Sequence, residues 1–513
     1  MIKKQNIKLL ILGFIAIFII VIFTYHLVKD SIENKDNTTI KIASNTDING
    51  LDPTKKEFSQ TAIGNRFFRC IHDNLLSVKI DEQNNEKIIT KLVDKCEKKG
   101  KEITFTLRNN AYFHNGEKVT FEDIEFSINR GKENKNDMYS FVENIQKIDN
   151  IQFKITLKND VVFWDFYFTH FIRILNKKAV EKNPNESLKI GTGPYKLKEW
   201  VPNDFILLER FDKYYNGGTR NNAPEKILIK IIPDPDTVLQ EIEQGNIDAT
   251  FNYPFERITD LESQKLSNIK IIEGEGISAQ YCYINKQSTT LEVRKAITKA
   301  LDISKYIKDL QLKANPLESY IPNGLIGYDK NLKHNPTNVE EAKEIIKTLP
   351  IEKKTLKLGI AQSKPLDLTK KIVEGLREVG FTVELEQMEF NALIEKSINT
   401  NDLNILFMGE NYDLEYGHKV LCDYFIQGKG YNFCHVDEKD ENKIKNNLEA
   451  GLKAKDSKTF EKSVQDVNKY IHDQFYIIPL YSSKNFTITT SKIQKGLKTN
   501  KFGHFDITQI KKI

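Results

Sequence analysis

Leu9 to Val28, LLILGFIAIFIIVIFTYHLV, is the stretch that most limits what this chain can become. A run of roughly twenty apolar residues is long enough to cross the hydrocarbon core of a bilayer as one helix. Lys3, Lys4 and Lys8 precede it. Lysines before a first span stay in the cytoplasm, so everything after about residue 30 is expected outside. A cleavable secretory signal has a shorter apolar core and small residues at its cut site. Here YHLVKDSIENK follows instead, and the first cysteine is Cys70, too late to carry a lipid at a processed terminus. The run therefore reads as an uncleaved anchor, and residues 29–39, KDSIENKDNTT, as a polar tether.

The 513 residues are too many for one ordinary core and predict two or three domains. The 76 basic and 71 acidic residues nearly cancel, to a net charge of +5. That is a solvated, mixed-charge surface rather than the footprint of a nucleic-acid binder. Cys70, Cys96, Cys282, Cys422 and Cys434 are an odd set of five, so at least one is unpaired within the chain. An outside location permits disulfides without requiring them, and Cys422–Cys434 and Cys70–Cys96 pairings stay open.

Past the tether the pattern alternates between strand and helix. IKIAS from Ile40 reads as a strand and GLDPT as a turn. Ile63, Phe67, Ile71 and Leu75 recur at helical spacing. KEITFTLRNNAYFHNG reads as a hairpin turning at Asn115-Gly116, and Thr120 with Asp123 as the capping box of the next helix. DTVLQEIEQGNIDATF is a helix closed by Gly245 and then a strand. TLKLGIA, TKKIVEGLREVG, TVELEQM and LNILFMG repeat strand, helix, strand and strand, which predicts a second α/β lobe.

Little of this carries catalytic chemistry. GTGPYKLKEW, residues 191–200, lacks the Gly-Lys-Ser/Thr of a phosphate-binding loop and the third glycine of a dinucleotide fingerprint. Gly191 and Gly193 read instead as turn residues with unusual backbone angles, leading into a strand. No G-x-S-x-G elbow or H-E-x-x-H helix is present in the sequence. PDPDT, residues 233–237, reads as a helix-entry loop rather than a calcium cage. His418, Cys422, Cys434 and His435 are zinc-compatible ligands without the paired C-x2-C spacing. LNILFMGENYDLEYG, residues 403–417, is an apolar strand running into carboxylates and tyrosine. Ligand groups gather just past the carboxyl ends of strands in α/β lobes, and a cationic or amine-bearing ligand would suit these.

Together the segments resemble the large bacterial extracellular solute-binding proteins of ABC importers, the family of dipeptide-, oligopeptide- and nickel-binding proteins. GLDPT (50–54), FTLRNNAYFHNGEKVTFEDIEFSINR (105–130), GTGPYKLKEW, LDISKYI after EVRKAITKA, and QFYIIPLYSSKNF occur in that family's order, across about residues 40–513. The resemblance implies a two-lobed α/β periplasmic-binding-protein-like fold (type II, large class with an extra subdomain), preceded here by an N-terminal transmembrane helix. Motif order puts the anchor and tether at 1–37, lobe I at 38–62, 185–280 and 484–513, an inserted subdomain at 63–184, and lobe II at 281–483. It implies a non-enzymatic, cofactor-free monomer, held at the membrane with its lobes on the extracellular or periplasmic side. Such a protein captures a peptide or small polar solute and passes it to ABC permease subunits.

In peptide-binding members a lobe II strand ends in an Asp-Tyr step whose aspartate receives the peptide amine. The ungapped match puts Asn411 at that position, before Tyr412, and an amide cannot neutralise an ammonium. Glu410 or Asp413 is expected to take over. Met408 and Gly409 are candidates for main-chain contacts; Phe58, Ser59 and Tyr139 are further carry-overs. Two alternatives remain: a nickel- or metal-chelate-binding member, if the His418/Cys422/Cys434/His435 group converges, and a surface sensor or chaperone-like protein that has lost transport.

Overall fold

The computed structural model describes residues 38–59, 61–80, 86–161, 163–215, 223–251, 253–362, 364, 366–411, 417–426, 431–454, 456–497, 499 and 510–512. The expected membrane anchor lies outside the described residues, and no helix among them is long and apolar enough to cross a membrane.

The strands along the path of the main sheet are β1 (Thr39–Ser44), β2 (Tyr195–Val201), β3 (Phe205–Arg210), β4 (Lys226–Ile231), β5 (Ala249–Thr250), β6 (Ile269–Ile284), β7 (Thr355–Ala361), β8 (Thr382–Met388), β9 (Ile405–Asn411) and β10 (Ile477–Thr490), and Ala314–Pro316 pairs with β10 off that path. Their spatial order is β8-β7-β9-β6-β10-β5-β1-β4-β3-β2. β1 is parallel to both β4 and β5, and β7 is parallel to both β8 and β9. Parallel pairs need crossover connections, and the helices that supply them cover the sheet. Among the described residues, the sheet joins the two parallel groups through β6 and β10. Ile269–Gly274 of β6 runs antiparallel to Asn485–Thr490, whereas Ser278–Tyr283 runs against Ile477–Ser483. The register shifts between Gly274 and Ser278. At Gly276 a Cβ would sit 2.1 Å from the Ser483 carbonyl oxygen, so only glycine lets the two strands pass there. The expected lobe boundaries, 280/281 and 483/484, fall inside these two crossing strands.

Residues 93–157 hold a separate four-stranded antiparallel sheet, in the order 93–99, 102–107, 152–157, 142–147. Helices α2 (Phe121–Glu133) and α3 (Trp164–His170) pack with it, and Phe105 meets Phe153 and Phe168 at ring distances of 5.3 Å. The capping box is formed: Asp123 Oδ2 accepts from the Thr120 N–H at 2.9 Å and from its hydroxyl at 2.8 Å. Phe163, at the start of α3, packs on Phe460 of α5 (Ser457–Asp473) with ring centroids 5.0 Å apart. One apolar cluster therefore runs from the inserted sheet into the residues around β9.

Two sequence readings change in their physical basis. Helix α1 (Ala62–Ile71) ends at Ile71, so Leu75 is buried beyond the helix rather than on its face. Gly191 and Gly193 do lead into β2, but neither has positive φ. They are glycine because the chain passes against the end of α1. A Cβ would lie 2.0 Å from Ile71 O at Gly191 and 2.4 Å from Cys70 O at Gly193. The Gly193 N–H donates to Ile71 O at 2.7 Å.

Candidate functional site

The site grows from the unequal length of two ladders on β9. On one side β9 pairs with β6 along its whole length, from Ile405–Ile284 to Asn411–Ser278. On the other it pairs with β7 only as far as Phe407–Ile360. Met408 to Asn411 thus extend past the β7 ladder, at the carboxyl end of a parallel group. This is where open α/β sheets bind ligands. A strand edge with main-chain donors and acceptors is also what an extended peptide needs in order to add itself to a sheet.

Side chains alternate across the sheet along this stretch. Met408 and Glu410 are both buried in one direction, at 5% and 6% exposure. The Tyr283 hydroxyl, from β6, donates to Glu410 Oε1 at 2.9 Å and lies 3.2 Å from the Tyr320 hydroxyl. Tyr281 donates to the Tyr320 carbonyl at 2.7 Å, which fixes that neighbour in turn. Tyr424, on α4 (Gly417–Phe425), adds a second phenol to Glu410, and its ring stacks on Tyr283 with centroids 5.9 Å apart. Burial pushes the Glu410 carboxyl up to about 7 against the pull of the two phenols, and the charge of Asp423 pushes the same way.

The opposite face carries the opposite charge. Gln280 lies directly over Gly409, where a Cβ would come within 2.3 Å of Gln280 Nε2. Lys364, just past the end of β7, donates from Nζ to Gln280 Oε1 at 3.2 Å. Burial holds its ammonium below the usual lysine range, with Glu256 acting against that. The end of β9 therefore has a carboxyl on one face, an ammonium on the other and a main-chain edge between them.

Of the residues expected from sequence, Met408, Gly409 and Glu410 belong to this strand end. Asn411 extends it by pairing with Ser278. Tyr412 and Asp413 lie outside the described residues. Phe58 packs its ring against Gly50 and under the Lys55 ammonium, 5.3 Å away, and the Ser59 hydroxyl donates to Lys55 O at 2.9 Å. Both help close the turn that Asp52 anchors to Arg130 at 2.7 Å. Tyr139 is fully buried, its ring lies against Gly131, and its hydroxyl donates to Phe171 O at 3.1 Å. Sequence reasoning missed Tyr283, Tyr424 and Lys364.

The His418/Cys422/Cys434/His435 group does not converge. Cys422 Sγ is 3.8 Å from His418 Nδ1, but Cys434 Sγ points at Tyr476 O, 3.3 Å away, and His435 Nε2 lies 2.7 Å from Ser397 O. No group of three or more His, Cys, Asp or Glu poised for a metal occurs among the described residues. All five cysteines are thiols, so neither pairing left open by the sequence is formed. A separate recess of about 530 Å³, lined by His114, Lys196, Arg210, Phe211 and Glu225 among others, is open, mixed in charge and shares no residue with the end of β9.

A sequence model of bacterial extracellular solute-binding proteins, family 5 (middle region), matches residues 87–432. The oligopeptide-binding protein AppA of Bacillus subtilis is 23% identical over 432 residues, covering 74% of this chain and 76% of its own. The dipeptide-binding protein DppE of the same organism is 23% identical over 453 residues, covering 80% and 81%. Among solved structures, the ABC transporter substrate-binding protein CtaP of Listeria monocytogenes superposes with a TM-score of 0.79 at 18% identity, over 92% of this chain and 99% of its own. The match spans more than half of the sequence, and the two groups of strands joined by two crossing strands are the two-lobed architecture that it implies. The chain belongs to family 5 of the bacterial extracellular solute-binding proteins.

Proposed function

We propose that the protein captures short peptides at the end of β9 and delivers them to the permease of an ABC importer. The observation that carries the reading is the carboxyl of Glu410, buried beside a strand end that outruns its β7 partner. A peptide laid along Met408–Asn411 gains main-chain hydrogen bonds from that edge. Its α-amine pairs with Glu410, in place of the aspartate that Asn411 replaces, and its carboxylate pairs with Lys364. Burial between the lobes supplies the bulk of the binding energy, and these polar groups set orientation. The oligopeptide- and dipeptide-binding names of the relatives support peptides as the solute class.

In this reading Leu9 to Val28 anchors a monomer whose lobes stand on the extracellular side, with no catalysis and no cofactor. The anchor rests on the apolar run and its leading lysines. Native mass spectrometry of the full-length chain, released from membranes in detergent, tests the function. Co-purified peptides that are displaced by added alanine peptides of two to five residues, but not by their N-acetyl forms, are the expected result. A chain that carries and accepts no peptide contradicts it.

A further inference from the structure

Glu410 is surrounded by side chains from two further elements, β6 and α4. From β6, Tyr283 donates to its carboxyl, with Tyr320 on the far side of that hydroxyl. From α4 come Tyr424 and the negative charge of Asp423, and Asp423 is ion-paired with Lys419 on its own helix. Ala279 is its cross-strand neighbour and Met408 flanks it on β9. Among the described residues, the groups that act on the carboxyl are thus neutral or acidic. Lys364, the nearby cation, is engaged with Gln280 over Gly409, on the other face of the sheet.

A carboxyl in that position is caught between two costs. Ionised, it lacks the hydration of water and faces Asp423; protonated, it forgoes part of the strength of the phenol hydrogen bonds. An arriving ammonium ends the conflict, because a buried carboxylate opposite a buried cation is stable where the lone ion is not. We infer that solute capture at Glu410 is coupled to proton release, so that the acidity of the medium outside the cell sets the affinity for amine-bearing solutes. The balance is simple: the Glu410 carboxyl gives its proton to solvent, the solute keeps its ammonium proton, and the two charges pair. Acidification returns the proton to Glu410 and expels the solute. This rests on the peptide-capture reading and adds to it a dependence that the reading alone does not require.

The full-length chain in detergent is titrated calorimetrically with alanine peptides of two to five residues, at pH 8 and pH 5.5. With the carboxyl titrating near 7 and a peptide α-amine losing its own proton near 8, affinity is expected to be about tenfold weaker at pH 5.5 than at pH 8. Near pH 6, repeating the titration in buffers of different ionisation enthalpy should show about one proton released per peptide bound. Glu410→Gln, checked by its melting curve, should bind weakly with neither the pH slope nor the proton release. Parental binding that is flat with pH and exchanges no proton overturns this inference and leaves peptide capture standing. Failure to bind any of these peptides at either pH overturns the capture reading, and the inference with it.

Discussion

Tyr283 reaches across from β6 and donates its hydroxyl to Glu410 Oε1 at 2.9 Å. That bond ties the strand that crosses between the lobes to the strand whose end forms the site. Tyr283→Phe removes the donor and keeps the ring. Above pH 7.5, with the carboxylate ionised, the loss should be about 1.5–3 kcal/mol of stability, the usual range for a hydrogen bond to a charged group. At pH 5, with the carboxyl neutral, it should fall to about 1 kcal/mol. Urea unfolding at the two pH values measures the difference; an equal loss at both would mean that the bond is not to a titrating group.

The ligand-free protein should gain stability from Glu410→Gln, and only at higher pH. The carboxyl is raised from its ordinary 4.5 to about 7 in the fold. A group raised in this way favours the folded state fully below 4.5, and the benefit is lost as pH climbs through 7. At pH 8 the parental chain should therefore lag the Gln variant by about 3 kcal/mol, and at pH 4 by little. Denaturant midpoints of the two proteins across that range provide the check, and parallel pH profiles would refute the shift.

Lys364→Gln should erase discrimination at the other end of the solute. In the proposed pose Lys364, which donates to Gln280 over Gly409, takes the solute's carboxylate. Loss of one partner of a buried charge pair costs about 2–3 kcal/mol, or roughly thirty- to a hundred-and-fiftyfold in affinity. The variant should bind trialanine and trialanine amide alike, whereas the parental chain prefers the free acid. Calorimetry with both peptides decides it; a preference kept by the variant would move the carboxylate contact elsewhere.

Gly191→Ala should destabilise without altering selectivity among solutes. Its Cβ would meet Ile71 O at 2.0 Å, so α1 or the turn has to move. Overpacking of that order costs about 1–3 kcal/mol. A lower melting temperature with an unchanged ratio of affinities for trialanine and its N-acetyl form is expected. An unchanged melting temperature would mean that the turn relaxes freely.

What the sequence disclosed follows the range over which each signal acts. The capping box at Thr120 and Asp123 was legible because its partners are three residues apart, and β9 because an apolar run ends abruptly in polar residues. Glu410 was named from the same stretch. Its donor Tyr283 was not, because the two are 127 residues apart and meet only through the β6–β9 register. Lys364 carried one faint signal, a polar residue just past the apolar strand TLKLGIA, the end of an α/β strand where ligand groups collect. For Tyr139 the sequence is silent on direction, because an aromatic residue at a matching position says nothing about which way it faces. Here the nearby glycine, Gly131, opens a niche that draws the ring inward.

A crystal structure of the chain grown with trialanine decides whether Glu410 holds the peptide amine. The peptide should lie extended along Met408–Asn411, with its amine nitrogen roughly 2.7–3.2 Å from a Glu410 carboxylate oxygen and its main chain bonded to the strand edge beyond Phe407. A peptide bound elsewhere, or one whose amine is held by another carboxylate while Glu410 keeps only its tyrosines, would contradict it.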